Sequence, residues 1–357
     1  MKLLSFLHRW SGGFIGLLLA ILGLSGAILV WEGEWISLPH AGDPVVENVQ
    51  QIGRIAEREA AGGATRITFA NEEIGLHHVA REGGAGSYVA QDGITVASWS
   101  SQWERPELWI FDLHHHLFAG HNGELVAGWA GVFGLLFVIT GTILWWRSRR
   151  AFRWQLWPKK FQPGPIVSHH RDIGILVAPL LLLSFITGTG MVFKEVTAAA
   201  LSPFGQLEAR AKPPKVEPIE GAAPVASMLA QAKARFPNAA LRRLTLPSKP
   251  GQPWSVRMRQ PFEWTPNGRT NLLFDGTAKL IKVDDPATGS RAASINEKLY
   301  PLHSGKVGGF AWKLAMTLSG LGLALLGSLA TWSFWFRKAK KRKRPEIASA
   351  GLEVAAA

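Results

Sequence analysis

Residues 168–174 read S-H-H-R-D-I-G and stand directly before a long apolar run. The start of the chain has the same arrangement: residues 8–12 read H-R-W-S-G, again before a long apolar run. Aligned on His8 and His170, both stretches read H-R-x-x-G. A small-residue pair follows each, Ser25-Gly26 and Thr187-Gly188, with each glycine eighteen residues after its histidine. Two such patterns in register, each opening a hydrophobic segment, indicate a repeated structural device.

Four uncharged apolar stretches predict four transmembrane helices, because about 20 apolar residues span a bilayer core. Most carry tryptophan near an end, as amphipathic rings at a membrane interface do, although 173–193 has none. Buried helices of a soluble protein are the alternative, and four runs without charge disfavour it. The first run has too long an apolar core for a cleaved signal peptide, and no A-x-A-like site follows it. The predicted spans are 10–31, 125–146, 173–193 and 314–336.

The charge of the chain predicts its topology. The net charge is +13, and seven Lys or Arg lie in 147–171, seven more in 337–344, and two in the N-terminus. Because short basic segments stay in the cytoplasm, both termini and the middle loop are expected inside. The predicted organisation is a cytoplasmic N-terminus with helix 1 (1–31), a first external module (32–124), helix 2 (125–146), a basic cytoplasmic loop (147–172), helix 3 (173–193), a second external module (194–307), helix 4 (308–336) and a basic cytoplasmic tail (337–357).

The chain contains no cysteine, which excludes disulfides, covalent c-type haem attachment and iron–sulfur ligation. Each external segment shows a helix followed by short strands, so two small α+β modules are expected. The first carries 14 acids against 5 bases and the second 17 bases against 9 acids. This opposite charge could let the modules dock, or it could be ordinary solvated surface. Neither module shows a nucleophile–base pair, and G-G-A-G at 83–86 is interpreted as a turn.

Histidines cluster at the predicted helix ends. His8 and the pair His169-His170 precede helices 1 and 3 on the cytoplasmic side, while D-L-H-H-H-L-F-A-G-H (112–121) and P-L-H-S-G (301–305) precede helices 2 and 4 on the outer side. Ionisable groups at this depth are functional candidates, and facing helices of a bundle commonly hold cofactors. Neutral imidazole is a good axial ligand for haem iron, so one bis-histidine haem b is predicted near each face of the membrane.

Four features of this prediction have alternatives. Four imidazoles within 114–121 could instead bind Zn, Cu or Ni. Arg9 and Arg171 could pair with haem propionates or act only as positive-inside anchors, and Lys313 could serve an outer propionate or simply reach the interface. Glycines in all four spans would leave room for a flat macrocycle, although they also permit close helix packing.

The histidine motifs resemble those of the PepSY-associated transmembrane family, and F-D-G-T at 274–277 resembles the late hairpin of its PepSY domains. The resemblance covers nearly the whole chain. It implies an integral membrane protein of the bacterial inner membrane, a four-transmembrane-helix bundle with two periplasmic α+β (PepSY-like) modules, and two b haems. The family patterns select His8, His170, His114 and His303 as axial ligands, with His115, His116, His121 and His169 as spare candidates.

The resemblance also implies an activity. Electrons would pass from the cytoplasmic side to a periplasmic acceptor, with ferric siderophore reduction for iron uptake as the favoured reaction. The donor would be a separate cytoplasmic reductase or a membrane quinol, and membrane lipid is the other expected partner. Two other functions stay open: a non-redox membrane protein that binds peptide or modulates a protease, and a divalent-metal sensor that uses the 114–121 cluster.

Overall fold

The computed structural model describes residues 2–153, 162–207, 213–217 and 223–336. The basic tail predicted at 337–357, and residues 154–161 of the predicted basic loop, lie outside the described residues.

Four long helices are each long and apolar enough to cross a membrane. They begin before and end near the predicted apolar runs, because the flanking residues continue the backbone hydrogen bonding of each helix. The helices are α1 (Lys2–Leu29), α5 (Gly120–Ser148), α6 (Pro163–Val192) and α11 (Gly309–Trp335).

Helices α1 and α11 approach each other through glycines. A β-carbon on Gly16 would lie 2.7 Å from the carbonyl oxygen of Gly327, and one on Gly23 would lie 2.6 Å from that of Gly320. These distances are too short for any side chain, so the close contact of the two backbones requires glycine. Part of the glycine content therefore serves helix packing, as small residues commonly do in membrane bundles.

The two segments between the long helices share one eight-stranded antiparallel sheet, in the order β4-β3-β2-β1-β5-β6-β7-β8. The first segment supplies β1 (Arg66–Thr68), β2 (His77–Ala80), β3 (Gly86–Val89) and β4 (Thr95–Trp99). The second supplies β5 (Ala240–Thr245), β6 (Trp254–Arg259), β7 (Thr270–Phe274) and β8 (Leu280–Asp284). Strands β1 and β5 pair directly, with Ile67 opposite Leu244.

One face of this sheet is covered by α3 (Val49–Ala61) and α8 (Val225–Arg235), one helix from each segment. Both helices contribute to a single apolar core, which also contains the fully buried Ile67 and Leu244 of the joining strands. The two predicted modules thus form one continuous sheet and share the core on this face.

Ion pairs also join the two segments, and each combines an acid of the first with a base of the second. Lys233 pairs with Glu47, Arg242 with Glu72 at 2.7 Å, and Lys306 with Glu73 at 2.5 Å. The acidic first segment and the basic second segment therefore form ion pairs where they meet. The contact itself is edge to edge through the β1–β5 pairing rather than face to face.

Short helices connect the sheet to the bundle. Helix α4 (Pro106–His116) leads into α5 through a tight reversal in which Leu117 and Phe118 both have positive φ angles, 47° and 60°. Helices α9 (Arg291–Glu297) and α10 (Leu299–His303) lead into α11. The remaining short helices are α2 (Glu32–Trp35) and α7 (Lys194–Leu201). Because α4 and α10 each end in histidine, both connections bring imidazoles to the end of the bundle next to the sheet.

Candidate functional site

The end of the bundle next to the sheet holds one histidine pair, called here the sheet-side site. His114 of α4 and His303 of α10 have ring centroids 6.2 Å apart, with the ring planes inclined by 44°. Both rings line a cavity of about 280 Å³ between the helices. Burial lowers the pKa of His114 to about 3 and also lowers the pKa of His303. Both imidazoles are consequently neutral at pH 7, as a metal ligand must be.

The small-residue pairs seen in the sequence hold these two rings. The Ser25 hydroxyl lies 3.0 Å from Nδ1 of His114, and the Thr187 hydroxyl lies 3.1 Å from Nδ1 of His303. Each hydroxyl donates its one hydrogen to a carbonyl one turn earlier in its own helix, at 2.8 Å and 2.7 Å. It can therefore only accept from the imidazole, so Nδ1 carries the ring proton.

A further contact fixes the tautomer of His303. Its Nδ1 also lies 3.0 Å from the carbonyl oxygen of Ser184, which can only accept a hydrogen bond. With the proton on Nδ1, the lone pair of Nε2 is left for another partner. Orientation of a ligating histidine through its other nitrogen is the usual arrangement in metal sites.

The glycine of each pair makes room for the same ring. A β-carbon on Gly26 would lie 2.8 Å from Cε1 of His114, and one on Gly188 would lie 2.9 Å from Cε1 of His303. Residues 25–26 and 187–188 thus act alike at two positions: the hydroxyl orients the imidazole and the glycine accommodates it. This role was not predicted, although the repeated spacing was a usable signal.

The opposite end of the bundle holds a second pair, called here the tail-side site. His8 of α1 and His170 of α6 have ring centroids 6.4 Å apart at an interplanar angle of 80°. Both line a cavity of about 380 Å³. Nδ1 of His8 lies 2.8 Å from the Thr140 hydroxyl, which donates to the Leu136 carbonyl at 2.6 Å. Because this hydroxyl can only accept from the imidazole, Nδ1 of His8 carries the ring proton and the Nε2 lone pair is available to another partner.

The ring separations suit one metal ion between each pair. A metal–imidazole bond is about 2 Å long, and the ring centre lies about 1 Å beyond the bonding nitrogen, so two imidazoles on opposite sides of one ion have centroids about 6 Å apart. The observed separations are 6.2 Å and 6.4 Å. Two neutral nitrogen donors at this spacing fit a bis-histidine centre.

Only a thin wall divides the two cavities. Leu19, Phe185 and Leu323 line both of them. The Phe185 ring packs on Gly134, where a β-carbon would lie 2.4 Å from the ring. The two sites are thus consecutive compartments of one bundle, separated by a single layer of apolar side chains.

The other histidines near these sites make further contacts of their own, although His115 and His116 also line the sheet-side cavity. His115 stacks on Phe111 with centroids 4.0 Å apart, His116 contacts Asp112 at 3.0 Å, and the exposed His121 contacts Glu124 at 3.2 Å. His169 is buried, but the ring beside His8 is that of His170. Among the described residues, no group of three or more His, Cys, Asp or Glu converges in a metal-binding arrangement. The four imidazoles of 114–121 thus do not converge on one point in the structure.

Cationic side chains differ in their access to the cavities. Arg9 and Arg171 line the tail-side cavity, and Arg171 also pairs with Asp172 at 2.7 Å. Lys313 is not among the residues that line the sheet-side cavity; it pairs with Glu34 and lies over the Trp31 ring. The lysine that lines this cavity is Lys306, three residues after His303, which the sequence analysis did not single out.

The family described as the PepSY-associated TM region matches residues 6–338, which includes both histidine pairs and the whole sheet. No curated protein matches the chain.

Proposed function

The chain belongs to the PepSY-associated transmembrane family, and on this premise we propose that it is a di-haem b electron-transfer protein. It would pass electrons from the cytoplasmic side of a bacterial inner membrane to a periplasmic acceptor. A ferric siderophore is the favoured acceptor, so the proposed activity is that of a ferric-siderophore reductase serving iron uptake.

The observation that carries the proposal is the pairing of imidazoles in two cavities of a four-helix bundle. Each pair has the ring separation of a bis-histidine centre, 6.2 Å and 6.4 Å, and each cavity is lined by glycines that leave space beside the rings. Haem, when bound, supplies one-electron chemistry at its iron, and bis-histidine ligation is typical of haem that transfers electrons without binding a substrate at the metal.

The protein's own residues would hold and orient the group. His114 and His303 would be the ligands of the sheet-side site, and His8 and His170 those of the tail-side site. Ser25, Thr187 and Thr140 fix the imidazole orientation through Nδ1. Arg9 and Arg171 line one cavity and Lys306 lines the other, and in this proposal they would bind carboxylates of the cofactor. The apolar walls would exclude water.

The arrangement of the two sites supports transfer across the membrane. They lie at opposite ends of the bundle, and the wall between them is one layer of side chains that includes Phe185. Arg147, Arg149 and Arg150 lie at the end of α5 next to the tail-side site, which supports a cytoplasmic position for that end. The proposed donor is a separate reductase or a membrane quinol.

Haem stoichiometry tests the proposal. The purified full-length chain should bind two haem b per molecule, with a Soret band that shifts on reduction by dithionite. His114→Ala and His303→Ala should each lose one equivalent and keep the other, as should His8→Ala and His170→Ala at the other site. His121→Ala is the matched control, because this exposed histidine lies near the site without lining its cavity.

Two results would contradict the proposal. A colourless preparation that stays colourless when supplied with haem would favour a non-redox role such as peptide binding or protease modulation. Loss of haem in His121→Ala, with both haems kept in His114→Ala, would place the ligands in the 114–121 cluster instead.

A further inference from the structure

The sheet has a second face, opposite α3 and α8, and the middle of this face is basic. Cross-strand pairing places Thr68, Arg243 and Arg257 directly opposite one another on β1, β5 and β6. Because directly paired residues point to the same side of a sheet, these side chains share one face. Arg66 lies on the same face, two residues before Thr68 on β1. Three guanidinium groups therefore occupy neighbouring positions.

The strands of this patch supply no carboxylate to Arg243. Strands β1, β5 and β6 contain no acidic residue. Like charges directly opposite each other destabilise a sheet, and Arg243 lies directly opposite Arg257. The adjacent Arg242 has a carboxylate partner, because it forms an ion pair with Glu72 at 2.7 Å. Arg243 has no such carboxylate partner among the described residues.

Arg243 is also partly buried in this setting. Its Nε is buried and has no hydrogen-bond partner among the described residues, and a buried unpaired donor is costly. Burial, together with the nearby Arg66, lowers the pKa of Arg243 to about 10, so the group stays charged at neutral pH. The neighbouring His78 has a pKa lowered to about 4, by burial first and then by Arg66, Arg243 and Arg105, and adds no negative charge.

The patch is next to the sheet-side site. The β2–β4 part of the same face is covered, since Tyr88 and Trp99 pack with Leu108 of α4, the helix that carries His114. On the side of the patch, Arg243 interacts electrostatically with Tyr300, and Tyr300 of α10 lines the sheet-side cavity three residues before His303. A ligand held by the arginines would therefore lie beside the proposed electron exit.

We propose that Arg66, Arg243 and Arg257 form the binding site for a multiply anionic metal chelate whose charge is carried by carboxylates. Arginine suits this ligand because its planar fork binds a carboxylate through two parallel hydrogen bonds. The inference deepens the proposed function, on which the identity of the ligand as an electron acceptor rests. The arginines favour an anionic acceptor, whereas the histidine pairs impose no preference for the charge of the acceptor.

Binding is tested apart from electron transfer with a redox-inert probe, gallium citrate, on the detergent-purified full-length chain by isothermal titration calorimetry. The double variant Arg243→Gln/Arg257→Gln should raise the Kd for gallium citrate by about tenfold or more, which corresponds to the loss of one good ionic contact. Binding should also weaken with added salt, as expected of a charged contact. The neutral complex of gallium with three maltolate ligands should bind weakly and equally to wild type and variant.

Arg54→Gln is the matched control, because it makes the same chemical change at an exposed position of α3, on the other side of the sheet. It should leave the Kd unchanged. Retention of the wild-type haem content and melting temperature by the double variant shows that it is folded. A colourless protein that still binds gallium citrate through the arginines would refute the proposed electron transfer but not the anion site.

Three results would overturn the inference. The first is that the wild type does not bind gallium citrate at millimolar concentration. The second is that the folded double variant binds it as tightly as the wild type does. The third is equal competition by inorganic phosphate or by vesicles of phosphatidylglycerol at the same anion concentration, which would assign the patch to phosphate groups or a lipid surface.

Discussion

Replacement of Gly188 by alanine tests whether the second small-residue pair shapes the sheet-side site. The added β-carbon would lie 2.9 Å from Cε1 of His303. Carbon atoms in favourable contact are about 3.5 Å apart or more, so the imidazole must move by about 0.6 Å or the helices must separate. That movement would strain the hydrogen bonds of Nδ1 to Thr187 at 3.1 Å and to the Ser184 carbonyl at 3.0 Å.

The expected loss follows from the cost of overpacking. Forcing extra atoms into a packed interior typically costs about 1–3 kcal/mol. If the ring can relax when no metal is bound, this cost falls on cofactor binding and weakens it by about 5- to 150-fold. The tail-side pair lies beyond the wall formed by Phe185 and should be unaffected.

The assay is haem content per chain together with the dithionite-reduced spectrum, measured after dialysis against a haem-binding protein. Gly188→Ala should approach one haem per chain. Gly164→Ala is the matched control in the same helix, because no described atom lies within 4 Å of its β-carbon and this residue lines neither cavity. This variant should keep two haems. A Gly188→Ala protein that retains both haems, with the wild-type spectrum, would refute the assigned role of the glycine.

Three further predictions concern the ligand hydrogen bonds, the pH dependence of stability and the joined core. Ser25→Ala should weaken sheet-side haem binding by about 10- to 100-fold, because His114 loses the acceptor of its Nδ1 proton. Thr187→Val should weaken it less, because His303 keeps the Ser184 carbonyl as a second acceptor. The rate of haem transfer to a haem-binding protein measures both effects. Burial lowers the pKa of His77 to about 4 from 6.5, so the unfolded state takes up the proton first. Stability is then complete above pH 6.5 and falls towards pH 4 by about 3 kcal/mol, and His77→Phe should flatten this fall in melting temperature. Leu244→Ala should lower the free energy of unfolding of the sheet by about 2–5 kcal/mol, in one denaturant transition shared by both segments. The control Ile94→Ala, at an exposed position, should change this free energy by less than about 0.5 kcal/mol.

The repeated spacing in the sequence has a structural explanation that neither motif gives alone. A helix rises 1.5 Å per residue, so the seventeen or eighteen residues from a histidine to its small-residue pair span about 27 Å, close to the thickness of a bilayer core. Helices α1 and α6 therefore each supply one imidazole at the tail-side end and hold another at the sheet-side end. The same helix positions groups of both sites.

Some candidates could be separated only by orientation. His114, His115 and His116 follow one another in α4, and consecutive residues of a helix point about 100° apart. One of them faces His303, while the next stacks on Phe111 and the third contacts Asp112. The sequence places three imidazoles at the right depth, and all three line the cavity, but the rotation of α4 against α1 decides that the His114 ring is the one paired with His303.

The amino-acid sequence by itself determines the four apolar helices, their histidine-bearing ends and most of the strands. These follow from local patterns, namely apolar length, charge placement and alternation along a few residues. Only the tertiary structure decided that β1 and β5 join the two segments into one sheet, that Lys306 rather than Lys313 lines the sheet-side cavity, and that three arginines meet on one face. The physical reason is that these contacts join residues far apart in the chain. They depend on strand register, helix rotation and burial, which local sequence patterns do not specify.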